Sequence, residues 1–91
     1  MALMKKMKFS GREMAVLRAI DFSTGSTGSE IIERTNIDPD ETLAIVNALM
    51  DAGYVETEPP QPRVEAFALF ETQFEINPGY AHELKDALLR R

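Results

Sequence analysis

The stretch 36–56, NIDPDETLAIVNALMDAGYVE, leaves the chain little choice of fold. Asp38 ahead of Pro39 marks a helix start: proline's missing N–H costs nothing at the first helical position, and an acidic side chain there accepts from orphaned backbone donors. Glu41 completes a D-x-x-E capping pattern. Gly53 marks the stop, because a left-handed closing residue is cheapest without a Cβ. A helix bounded at both ends, running straight into the strand-like YVETE, fixes the frame for everything else.

Upstream, Ser10 and Glu13 repeat the S-x-x-E box, with Phe9 and Met14 spaced for a hydrophobic staple. A helix is expected from Gly11, with Val16, Leu17 and Ile20 on its apolar face. STGSTGS reads as a loop, and Thr27 with Glu30 caps a short helix, GSEIIERT, that buries Ile31 or Ile32 and ends at Asn36. Downstream, PPQPR forbids helix and central strand alike. FALFETQFEI alternates Phe70, Thr72, Phe74 and Ile76 against Glu71, Gln73 and Glu75, which predicts a second strand and a two-stranded hairpin with one buried face. Asn77 and Pro78 then open a fourth helix carrying Tyr80, Leu84, Ala87 and Leu88 at helical spacing.

Ninety-one residues, 44% hydrophobic, suffice for one core but not two, so a single α+β domain is expected over 10–91 behind a basic arm over 1–9. Without cysteine there is no disulfide, thiol nucleophile or thiolate metal site. Lys5 and Lys6 are followed by no apolar run, and no stretch is long enough to span a bilayer, so a cytoplasmic protein without membrane attachment is expected. The net charge is −5 and the pI near 4.8. Its distribution says more. Lys5, Lys6, Lys8, Arg12 and Arg18 face only Glu13 at the start; Asp38, Asp40, Glu41 and Asp51 face no cation in the third helix; five glutamates face Arg63 between Tyr54 and Ile76.

The order of capped helices ending in TGSEIIERTNIDPDETLAIVNALMDAGYV, followed by a hairpin and INPGYAHEL, resembles the winged helix-turn-helix domain of small bacterial and archaeal transcriptional regulators, the multiple-antibiotic-resistance regulators among them. The likeness extends over nearly all of the chain after residue 9. It implies a three-helix core, a two-stranded β-wing and a C-terminal helix. INPGYAHEL is similar to the LTPKGR entry of the family's last helix, although Tyr80 and Ala81 stand where a basic residue is usual. Carried onto this chain, the resemblance places Asp40, Glu41, Leu43, Ala44, Asn47 and Met50 on the side of the third helix that relatives present to the major groove.

Two readings follow. In the first the chain is a non-catalytic protein-interaction or dimerisation module, whose partner-binding face is that acidic and apolar set. In the second it is a DNA-binding transcriptional regulator, with Asn47 reading adenine and Lys5, Lys6, Lys8, Arg12, Arg34 and Arg63 on phosphates. Local charge favours the first and the resemblance the second. Tyr80, Leu84 and Leu88 form a candidate dimer face, so a homodimer is expected in either case. No nucleophile, base and oxyanion constellation appears, and no enzyme activity, cofactor or metal is expected. His82, the single histidine, suits a structural surface role better than metal binding. Asp38, Asp40 and Glu41 lack the glycine and distal glutamate of a calcium loop, and the Ser/Thr/Gly loop lacks the Gly-Lys pair of a phosphate cradle.

Overall fold

Short-range hydrogen bonds open the first two helices where the sequence expects them. In the computed structural model, which describes residues 9–90, Ser10 Oγ accepts from Glu13 N and Glu13 Oε1 accepts from Ser10 N, starting α1 (Gly11–Ala19). Thr27 and Glu30 repeat that reciprocal pair at the head of α2 (Gly28–Thr35). Asn36 closes α2 in the left-handed region at φ 62°, its N–H on Ile32 O at 2.8 Å. Of the two candidate isoleucines, Ile31 is fully buried and Ile32 half-buried.

The next helix, α3 (Pro39–Asp51), starts with Pro39 in its first turn but without the expected box: Asp38 makes no side-chain cap. Glu41 is drawn away by an ion pair with Arg12 of α1, and Thr42 Oγ1 donates back to Ile37 O at 3.2 Å. At the other end Gly53, φ 89°, donates to Met50 O while Tyr54 donates to Leu49 O, both at 3.0 Å. That double closure uses the helix's last free carbonyls.

Beyond α3 lie β2 (Val55–Glu58), a 3₁₀ segment (Ala66–Glu71), β3 (Gln73–Ile76), a 3₁₀ turn (Pro78–Tyr80) and α4 (Ala81–Arg90). The architecture is α+β, as the resemblance implies. Two features differ from the sequence expectation. Ser26–Thr27 forms a strand, β1, on the outer side of β3, so the sheet has three antiparallel strands in the order β1-β3-β2. The predicted strand through Phe70 is absent: 66–71 coils so that Leu69 enters the core, leaving Phe67 90% and Phe70 52% exposed. Thr72, Phe74 and Ile76 keep the inward parity.

Val16, Leu17, Ile31, Val46, Leu49 and Phe74 are essentially inaccessible at the centre. Leu84 of α4 joins them at 1% exposure. Full burial of such a side chain contributes about 1.5–3 kcal/mol. Tyr54 ties the ends together, edge-on to Phe9 at 5.2 Å and tilted against Tyr80 at 4.9 Å.

Candidate functional site

The third helix is the element that the sequence marks for function, and it has an inward and an outward side. Thr42, Ile45, Val46 and Leu49 are buried against the rest of the domain. Asp40, Ala44, Ala48 and Asp51 are exposed. That face offers two carboxylates and two methyl groups and no side-chain donor.

Three residues expected on the outer face lie elsewhere. Asn47 is 7% exposed, and its carboxamide is spent on one backbone unit: Nδ2 donates to Val64 O at 3.1 Å and Oδ1 accepts from Val64 N at 2.9 Å. Leu43 and Met50 are half-buried and packed against the core. For Asn47 the cause is the connection 59–72, which folds back on the domain. Its proline-rich part lies against α3 through Val64, which is buried, and its 3₁₀ segment seats Leu69 beside α2. Gly28 makes that seat, since its N–H donates to Thr72 O at 3.0 Å and a Cβ there would collide with the Leu69 carbonyl. Glu41 is half-buried and paired with Arg12.

The expected phosphate contacts divide. Lys5, Lys6 and Lys8 lie outside the described residues. Arg12 is exposed but engaged by Glu41. Arg34 is a structural clamp: its Nη1 donates to Ala19 O at 2.7 Å and Ser26 Oγ at 3.0 Å, where Ser26 in turn donates to Ala19 O and accepts from Asp21 N. This network fastens β1 to the end of α1. Arg63 is exposed, one residue before the buried Val64.

The candidate dimer face also changes. Leu84 belongs to this domain's own core, and Tyr80 and Leu88 are half-buried against it. Leu89, 81% exposed, is the large apolar side chain that α4 presents outward. Arg18 of α1 reaches Leu88 O at 3.2 Å, and Lys85 Nζ sits 5.4 Å from the centroid of Phe22, so α4 is also held to α1 and to the loop that follows it.

Sequence reasoning missed Val64, Gly28 and the Ser26–Arg34 network. A signal existed for Val64: it is the one large aliphatic residue in PPQPRVEA. No helix among the described residues is long and apolar enough to cross a membrane. No group of three or more His, Asp or Glu among them is placed to hold a metal ion.

A family model described as "MarR family" matches residues 8–63, from the residue before Phe9 through all three core helices and β2. No curated protein and no solved structure matches the chain.

Proposed function

This chain belongs to the MarR family, whose members are typically DNA-binding transcription regulators rather than enzymes, and on that premise we propose that it is itself a DNA-binding regulator domain. The observation that carries the reading is the family match across the whole unit α1, α2, α3 and β2. It reverses the preference that local charge suggested. The exposed stripe of α3 enters the major groove. Asp40 and Asp51 accept from cytosine N4–H₂, and the methyls of Ala44 and Ala48 pack on thymine methyl groups, contacts that need no arginine. Phosphate affinity comes from Lys5, Lys6 and Lys8 of the arm and from Arg63, since Arg12 and Arg34 already have partners. Family members typically act as homodimers, and a second copy doubles this small cationic count. In a dimer formed through α4, Leu89 and the outer edge of Leu88 would meet the partner, while Leu84 stays inside.

The test is fluorescence anisotropy with a mixed-sequence duplex at about 50 and 200 mM salt. Four cations on phosphates imply that the affinity of a single copy falls roughly a hundredfold across that range, and that of a homodimer engaging both sets roughly ten-thousandfold. Removing Lys5 and Lys6 together should flatten the slope by about two units per copy.

One observation favours a second reading, a non-catalytic protein-interaction module: the exposed face of α3 carries Asp40 and Asp51 with no cation, and Phe67 stands bare on the 59–72 connection. Absence of duplex binding at both salts would sink the regulator reading in favour of this one.

A further inference from the structure

Asp40, Ala44, Asn47 and Asp51 stand at i, i+4, i+7 and i+11, so they share one stripe of α3. Asp40, Ala44 and Asp51 are exposed, and Asn47 is buried. Nothing on the helix hides it. The limb 59–65 does, through the paired hydrogen bonds between the Asn47 carboxamide and the Val64 backbone. A side-by-side N–H donor and lone-pair acceptor is also what adenine presents in the major groove, where N6–H donates to an Asn Oδ1 and N7 accepts from its Nδ2. Val64 thus fills the place of a base edge.

The limb is lightly fixed. Within 59–65 Val64 alone is buried. The Thr57 hydroxyl shapes the turn, donating to Pro59 O at 2.9 Å and accepting from Gln61 N at 3.0 Å. A cleft of ≈ 380 Å³ open to the surface lies beside the limb, bounded by Met50, Val55, Thr57, Pro60 and Pro62. Leu69 is anchored separately in the core, beside α2.

We propose that the limb 59–65 is an internal cover that engages Asn47 in place of a base, and that duplex DNA displaces it and leaves Asn47 to pair with an adenine beside Leu43 and Met50. The displacement by DNA rests on the regulator reading; the cover does not. Covered, α3 shows DNA only carboxylates and methyls. Uncovered, it gains one bidentate reader, and the cost of opening reduces apparent affinity by the fraction of molecules that are open. Only a site with adenine in register returns the two hydrogen bonds that opening removes.

Native-state hydrogen exchange tests the cover without DNA. The Val64 amide, the hydrogen that Asn47 Oδ1 accepts, should exchange at least about tenfold faster than the Leu49 amide of α3, through an opening that low denaturant barely accelerates because little surface is exposed. Equal rates with equal denaturant response would show that the limb leaves only when the whole domain unfolds, and would overturn the cover. Pro62→Gly, at an exposed position, loosens the open limb and should raise affinity for the mixed-sequence duplex about two- to fivefold. Saturating duplex should also accelerate Val64 exchange. Unchanged or weaker binding by Pro62→Gly, or slower Val64 exchange in the complex, would overturn displacement. If neither protein binds duplex at about 50 mM salt, the regulator reading and the displacement fall together, and the Val64 against Leu49 comparison still decides the cover.

Discussion

The heads of α1 and α2 and the connection 59–72 were equally punctuated in the sequence, yet the first behave as written and the second does not. At the heads the deciding hydrogen bonds join residues three apart, Ser10 with Glu13 and Thr27 with Glu30. In the connection they join Asn47 to Val64, seventeen positions away, and Gly28 to Thr72. At these two heads the pattern was legible because both partners lie within one helical turn; at the head of α3 the same spacing formed no box, since Glu41 pairs with Arg12 of α1. Where the partner comes from another element, period-two alternation through Phe70 lost to the placement of Leu69 in the core.

Because the connection is held from afar, the largest loss should follow from breaking its far contact. Asn47→Leu leaves the N–H and C=O of Val64 buried without partners, each costing about 1–3 kcal/mol, so a loss of roughly 2–6 kcal/mol is expected in a urea titration. A loss no larger than that of a cap substitution would mean that water replaces the amide and that the limb is already loose. Gly28→Ala comes next: its Cβ meets the Leu69 carbonyl and must push the 3₁₀ segment off α2, an overpacking cost of about 1–3 kcal/mol. Near-infrared or visible probes are unnecessary, since the urea midpoint and the α2 amide shifts report it directly. An unchanged midpoint would show that the seat is soft.

At the heads the expected effects are smaller. Ser10→Ala and Thr27→Ala each remove one half of a capping box and should cost about 1 kcal/mol. The signature that separates them from the connection is spatial: amide exchange should quicken in the first turn of the affected helix, while Val64 keeps its wild-type ratio to Leu49. Faster Val64 exchange in Thr27→Ala would show that the head of α2 and the connection act as one unit, and the contrast between them would fail.

The same division by range explains what was legible of the candidate site. The helix and the side that carries Asp40 and Ala44 follow from its capping residues and from the resemblance, because helical geometry fixes which residues share a side. The concealment of Asn47 does not, because a helical wheel carries no information about a segment that arrives twelve or more residues later. Arg34 illustrates the complementary error. Counted as a surface cation, it is held by Ala19 O and Ser26 Oγ, groups that converge only when β1 pairs with β3. A charge map made from sequence therefore overstated the cations open to a phosphate and misplaced the one side-chain amide on the helix.

The smallest effect sharpens the comparison at its local end. The loop ahead of β1, read as structureless from its Ser, Thr and Gly content, has a short-range device of its own: Asp21 Oδ1 accepts from Thr24 N at 3.1 Å and Ser23 N at 2.8 Å. These backbone donors, Thr24 first and Ser23 next, hold the Asp21 carboxyl below the usual carboxylate range. A carboxyl that holds its proton less tightly folded than unfolded stabilises the fold above its unfolded value of about 3.9, and that contribution is lost as pH falls through the lower folded value. Asp21→Ala should therefore lower the urea midpoint modestly at pH 7, and the gap from wild type should close as the pH is taken down through the lowered folded value. Since the donors lie two and three residues away, the gap should arise without any change in Val64 exchange. A gap of equal size at both pH values would assign the role of Asp21 to packing or turn propensity instead of its charge, and the loop would then join the connection as a segment whose stability its own residues do not set.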